Sequence, residues 1–189
     1  MRAAGTESNI RSMKAKGLST LFAVALGVLN LQAADSPDLE NSRVRFDINA
    51  LHGKAAPEWE LTGWKNSKPL KLADLKGKIV VLDFWATWCG PCIASIPKVN
   101  SLQKKYGKQV VFIGVCAKSG SEKMDATVKS RNIEYPVAID ANSVTKKNFH
   151  ANSYPDYYII DQGGKLRWGD IVNGDVEKAI KILLAETKA

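Results

Sequence analysis

Two cysteines three residues apart carry the chemistry most legible in this 189-residue chain. In Cys89-Gly90-Pro91-Cys92 the proline suits the first turn of a helix, where its missing N–H would have found no intrahelical partner. Just upstream, Val80-Val81-Leu82-Asp83-Phe84-Trp85 is a short apolar run of the kind buried on both faces of a sheet. The chain therefore leaves a strand, turns, and starts a helix with Cys89 at its tip. Two cysteines one helical turn apart share a face, near the Cα separation that a disulfide needs. The partial positive charge of a helix N-terminus favours the Cys89 thiolate over its thiol. A nucleophilic Cys89 with Cys92 beside it to resolve a mixed disulfide is a dithiol–disulfide redox centre.

Two other uses of the pair compete. A structural zinc site wants four ligands, and this chain has three cysteines (Cys89, Cys92, Cys116) and two histidines (His52, His150), none at ligand spacing. A purely structural disulfide remains open, although a ring closed over two intervening residues constrains little chain. Cys116, at the end of another apolar run, reads as a small core hydrophobe, with a redox-sensitive third thiol as the alternative.

The elements that must position this centre follow from periodicity. Strands are expected at Lys78 to Trp85, Val110 to Cys116, Val137 to Ile139, Tyr157 to Asp161 and Lys165 to Ile171, the last two joined by Gln162-Gly163-Gly164 as a hairpin. Helices are expected at Pro91 to Tyr106, with Pro97 inside it, at Ser121 to Asn132 with Ser121 as N-cap, at Ala141 to Phe149, and after Asp175. Trp59 to Leu61 and Pro69 to Leu72, on either side of the polar turn Lys65 to Lys68, read as a further hairpin. Alternating strands and helices give an α/β domain with a mixed sheet and helices on both faces.

Residues 1–33 have the layout of a secretory signal peptide. Arg11, Lys14 and Lys16 precede the 14-residue apolar run Leu18 to Leu31, and small residues follow at Ala33-Ala34. The run is short for a spanning helix, which needs about 20 residues; a retained membrane anchor is the alternative. Residues 34–52 are polar, carry Pro37 and show no sustained period, as a linker or loosely docked arm would. Residues 53–189 are sized for one domain. Of the formal charge of +8, +3 lies in residues 1–33 (Arg2, Arg11, Lys14 and Lys16 against Glu7). The remaining +5 is spread out, with no block of like charge and no nucleic-acid motif.

Asp83-Phe84-Trp85-Ala86-Thr87-Trp88-Cys89-Gly90-Pro91-Cys92 resembles the active-site segment of thioredoxins. Gly53-Lys54-Ala55-Ala56-Pro57-Glu58-Trp59, followed by Leu72-Ala73-Asp74-Leu75-Lys76-Gly77-Lys78, resembles the lead-in of the redoxin branch, the TlpA/ResA-like thiol–disulfide oxidoreductases of the bacterial envelope. The resemblance covers roughly Gly53 to the C-terminus. It implies a thioredoxin fold with an N-terminal β-hairpin extension and no cofactor beyond a Cys89–Cys92 disulfide. It implies that Asp83, whose burial raises its pKa, moves the proton of the buried cysteine. It makes Tyr154-Pro155 a cis-proline loop facing the cysteines, so that Trp88, Gly90, Pro91, Ser153, Tyr154 and Pro155 would line the substrate groove, while Trp85 packs in the core. Two departures separate the chain from the cytochrome-maturation reductants of this branch: Ser95 stands where they tend to carry a glutamate, and Asp83 is kept.

The function expected is an exported thiol–disulfide oxidoreductase that reduces protein disulfides and is recharged by a thiol electron donor in the membrane. A peroxiredoxin-like peroxidase is the second class, but its reactive cysteine wants a threonine three residues ahead in a Pro-x-x-x-Thr-x-x-Cys frame; Thr87 is two ahead and the proline is missing. A Cu(I)-binding protein, with the paired thiolates as soft ligands, is the third, without a methionine or histidine cluster to support it.

Overall fold

The computed structural model describes residues 36–186. The expected signal peptide and the start of the expected linker lie outside the described residues. Six strands form one mixed sheet in the order β1-β4-β3-β2-β5-β6. They are β1 (Thr62–Lys65), β2 (Ile79–Trp85), β3 (Val110–Ala117), β4 (Val137–Asp140), β5 (Asp156–Ile160) and β6 (Leu166–Ile171). Strands β2, β3 and β4 run parallel, whereas β5 and β6 on one side and β1 on the other are antiparallel to their neighbours.

All seven residues of β2 are buried, because strand pairs cover both edges and helices cover both faces. Side-chain alternation splits it cleanly. Ile79, Val81 and Trp85 join one apolar cluster with Ile96, Val99 and Leu102 of helix α2 (Gly90–Tyr106) and with Ala179, Ile180 and Leu183 of the helix Val176–Glu186. Val80, Leu82 and Phe84 join a second cluster with Ile113, Val115, Tyr158, Phe149 and Ile48. Asp83 falls on the first of these faces by the same alternation, and the cluster there includes both Cys89 and Cys92.

Two expectations are corrected. The N-terminal hairpin does not form: β1 is a single strand paired to β4, and Pro69 to Leu72 leads into a 3-10 turn at Leu72–Leu75. Asn66, at φ 62°, donates from Nδ2 to the carbonyls of Ile133 (2.7 Å) and Tyr135 (3.0 Å), which holds the chain leaving β1 against the approach to β4. Ser121 caps nothing; the chain turns at Gly120 in the left-handed region (φ +83°), passes through the 3-10 turn Ser121–Lys123, and only then enters helix α3 (Met124–Ser130). The stretch read as a linker or arm holds helix α1 (Arg45–Leu51) and lies on β6. Leu39 bridges to Ile171, the Gly53 N–H donates to the Leu166 carbonyl at 2.7 Å, and Ile48 is fully buried. Arg45 reaches the buried Asp170 carboxylate at 2.7 Å. Gly169 makes room for this docking, since a Cβ there would stand 2.4 Å from the Tyr158 ring and 2.9 Å from Ile48. One buried apolar residue in a two-turn helix is too weak a periodic signal to read. Among the described residues no helix is long and apolar enough to cross a membrane.

Candidate active site

The chain leaves β2 at Trp85, turns through Ala86, Thr87 and Trp88, and enters α2 with Cys89 as its N-cap residue in extended conformation. Pro91 occupies the first turn, as the sequence required, and Pro97 sits within the helix without ending it. Cys89 and Cys92 are joined in a disulfide with an S–S distance of 2.08 Å and a Cα separation of 5.3 Å. The Cys89 sulfur accepts the backbone N–H of Cys92 at 3.2 Å, taking up one of the amides that a helix start leaves unpaired. The same donor and the positive end of α2 stabilise a thiolate at Cys89 once the disulfide opens. Both cysteines are buried, while Gly90 and Pro91 are exposed beside them.

Trp88 is 61% exposed, an unusual position for an indole, and it is held there rather than left loose. Its Nε1 donates to the Ser119 carbonyl at 3.0 Å, and Thr87 Oγ1 donates to the Gly120 carbonyl at 2.8 Å. The loop after β3 thus props the cysteine turn. A Cβ on Gly120 would meet Thr87 Oγ1 at 2.6 Å and Trp88 Cδ1 at 2.9 Å, at a φ that side chains disfavour. Gly120→Ala is therefore expected to lower stability by about 1–2 kcal/mol and to move the indole. Denaturant unfolding and the KM for a peptide disulfide check it; a variant unchanged in both would show that the prop is dispensable.

Asp83 lies buried on the cysteine side of the sheet, one oxygen unpartnered among the described residues and the other accepting the Tyr135 hydroxyl at 3.4 Å. Burial pushes its carboxyl up to about 7, against a smaller lowering by that hydrogen bond. Tyr157, opposite Asp83 in the β2–β5 register, donates to Ser95 Oγ at 3.2 Å, and Ser95 donates to the Cys92 carbonyl at 2.8 Å. A hydroxyl pair therefore links the helix turn carrying Cys92 to the strand opposite Asp83. Burial, followed by the charge of Asp83, pushes the Tyr157 phenol upward, so it stays a hydrogen-bond donor.

The Tyr154–Pro155 peptide bond is cis, at the start of β5. Tyr154 meets Trp88 edge-on, ring centroids 5.7 Å apart, which brings this loop against the residue preceding Cys89. Pro155 is buried, and Ser153 and Tyr154 are half-buried, the Ser153 hydroxyl without a hydrogen-bond partner among the described residues. Asp156, directly after the proline, accepts the Asn152 N–H at 3.2 Å and so ties the two ends of the loop. Burial, and then the charge of Asp170, push the Asp156 carboxyl up to about 8.

The structure thus brings Cys89, Cys92, Trp88, Gly90, Pro91 and Tyr154 together, with Asp83 on the same side of the sheet. Sequence reading missed the supports: Tyr135 and Tyr157, the carbonyls of Ser119 and Gly120, and Lys146, whose ammonium lies 4.5 Å from the Tyr154 ring centroid. None of these stands near the cysteines in sequence, and no spacing marks them. Cys116 is a fully buried free thiol that burial pushes up to about 12, which leaves it unreactive.

A disulfide capping a helix that springs from a central strand, with an aromatic platform and a cis-proline loop beside it, defines a thioredoxin-fold thiol–disulfide oxidoreductase. Residues 52–169 match the model of the AhpC/TSA family, and the chain belongs to that family. It is 31% identical over 135 residues to the thioredoxin-like protein YneN of Bacillus subtilis, covering 70% of this chain and 77% of that one. It is 36% identical over 115 residues to the thiol-disulfide oxidoreductase ResA of Bacillus cereus, covering 60% of this chain and 66% of that one. The crystal structure of the thioredoxin-like superfamily protein SPOA0173 superposes with a TM-score of 0.62 at 26% identity, over 69% of this chain and 96% of that one.

Proposed function

We propose that this oxidoreductase works outside the cytoplasm in the reducing direction, on disulfides of other proteins. Residues 1–33 serve as its export leader, and residues 53–189 carry the redox domain, with α1 and its flanks docked on it. Export is supported by the basic-then-apolar layout ending at Ala33-Ala34. In turnover the Cys89 thiolate attacks one sulfur of the substrate disulfide and expels the other as a thiolate. The Cys92 thiol, losing its proton toward Asp83, then attacks Cys89 Sγ and releases the second substrate thiol. Two electrons pass to the substrate and the enzyme is left with the Cys89–Cys92 disulfide seen here. An exported protein lacks the cytosolic thiol-reducing systems, so a membrane thiol donor must return those two electrons. Trp88, Gly90, Pro91, Ser153, Tyr154 and Pro155 form the groove that receives the substrate chain.

The observation that carries the direction is the Cys89-Gly90-Pro91-Cys92 sequence, which matches that of thioredoxin, a reductant, rather than that of the strong oxidants. Equilibration of the full-length protein with defined thiol buffers tests this. A potential near or below about −250 mV supports the reductant; a value near about −120 mV reverses the direction of electron flow.

A further inference from the structure

Beside the cis-proline loop lies a cleft of about 470 Å³ lined by Val44, Ala151 and the polar residues Asn142, Ser143, Lys146, Lys147, His150 and Asn152. Its volume is within the roughly 300–1,000 Å³ of ordinary ligand clefts. No carboxylate lines it, and neither lysine has an ion-pair partner among the described residues. The carboxylate closest in sequence, Asp140, is buried beneath the turn, its two oxygens taken by the backbone N–H groups of Thr145 (3.2 Å) and Lys146 (2.8 Å). It steadies the backbone that presents the lysines rather than pairing with their ammonium groups.

Lys146 joins the cleft to the cysteine site. The Lys146 ammonium sits 4.5 Å from the Tyr154 ring centroid, and Tyr154 in turn contacts Trp88, the neighbour of Cys89. The Lys146 ammonium thus lies over the ring in a cation–π contact, and Lys147, His150, Asn142 and Asn152 are exposed around it. A substrate chain lying across Trp88 and Tyr154 would carry its next residues past Lys146 into a hollow that also holds Lys147, His150, Asn142 and Asn152.

We infer that this cleft selects substrates, taking an acidic segment of the target protein that lies next to the disulfide to be exchanged. This rests on the reading of the chain as a protein-disulfide oxidoreductase. Charge complementarity names the occupant: two lysines without an ion-pair partner among the described residues, with amide and imidazole groups beside them, match carboxylates and repel a basic segment. Charges at the rim of such a site act mainly on encounter, so the preference belongs in kcat/KM and fades as salt screens it.

The test uses the reduced full-length protein and two disulfide-bonded peptide probes, identical except for three Glu or three Gln residues on one side of the disulfide. The readout is the ratio of their second-order rate constants. The Glu probe should react roughly tenfold faster at low ionic strength, with the ratio collapsing in about 0.3 M salt. The Lys146→Glu/Lys147→Glu double variant should bring the ratio below one. Lys147→Glu alone, which leaves the Lys146–Tyr154 contact in place, should lower it part of the way. Equal rates for the two probes in the native protein, or a preference that survives both variants, would overturn the inference while leaving the oxidoreductase intact. Failure to reduce either probe would overturn the protein-disulfide reading, and this inference with it.

Discussion

Cys89→Ser should reduce disulfide-reductase turnover to the uncatalysed background, and Cys92→Ser should not merely slow the protein but trap it. The asymmetry comes from position. Cys89 is the N-cap of α2 and its sulfur receives the Cys92 amide, so its thiolate is the one the fold stabilises. A serine hydroxyl keeps the cap but is not ionised at neutral pH, so no attack on substrate sulfur begins. With Cys92 replaced, attack still occurs, but nothing displaces the substrate from Cys89. The product is a stable mixed disulfide whose mass equals enzyme plus one substrate chain. Intact-mass measurement after mixing with a peptide disulfide, without added thiol, separates the two variants. If Cys92→Ser failed to trap substrate while Cys89→Ser trapped it, the roles assigned to the two sulfurs would be exchanged.

Asp83→Asn is expected to act in opposite directions on activity and on stability. The carboxyl is 2% exposed and burial pushes it up to about 7, against an ordinary 3.8 in the unfolded chain. Below about pH 4 both states hold the proton and stability is unaffected by this group. Between about pH 4 and 7 the unfolded chain releases its proton while the folded protein keeps it, so stability falls as pH rises. Above about pH 7 the folded carboxyl ionises as well and the loss levels off. Asparagine removes this dependence. The variant should be more stable than the native protein by on the order of 3–4 kcal/mol at pH 8, with the gain vanishing near pH 4. Activity should move the other way. Without a base to take the Cys92 proton, resolution of the mixed disulfide should slow by roughly tenfold to a hundredfold, and the inflection near pH 7 should disappear from the pH–rate profile. Urea unfolding at the two pH values and single-turnover kinetics check both halves. An unaltered pH–rate profile would reduce Asp83 to a structural carboxyl.

The redox centre was legible because its chemistry is local. Cys89, Pro91 and Cys92 sit within one helical turn, so residue spacing alone fixes their geometry once a helix starts there. The β2 run was equally plain, since a strand covered on both faces must be apolar throughout, and the one residue that breaks the rule, Asp83, announced itself by doing so. The hairpin before it was misread for want of long-range information. β1 pairs with β4, and Asn66 holds the turn against the carbonyls of Ile133 and Tyr135, contacts with distant residues that no local pattern shows.

By itself, then, the sequence determined a dithiol at a helix tip, a buried strand behind it and an alternating α/β order, because each rests on residues close together in the chain. Only tertiary structure decided that Ser119 and Gly120 hold Trp88 outward, that Tyr135 and Tyr157 meet the Asp83 side of the sheet, and that residues near Arg45 close the far edge against Asp170. It also placed the Lys146 ammonium over the Tyr154 ring. These contacts join residues far apart in sequence, and a hydroxyl, a carbonyl or a lysine carries no mark of its partner until the fold brings the two together.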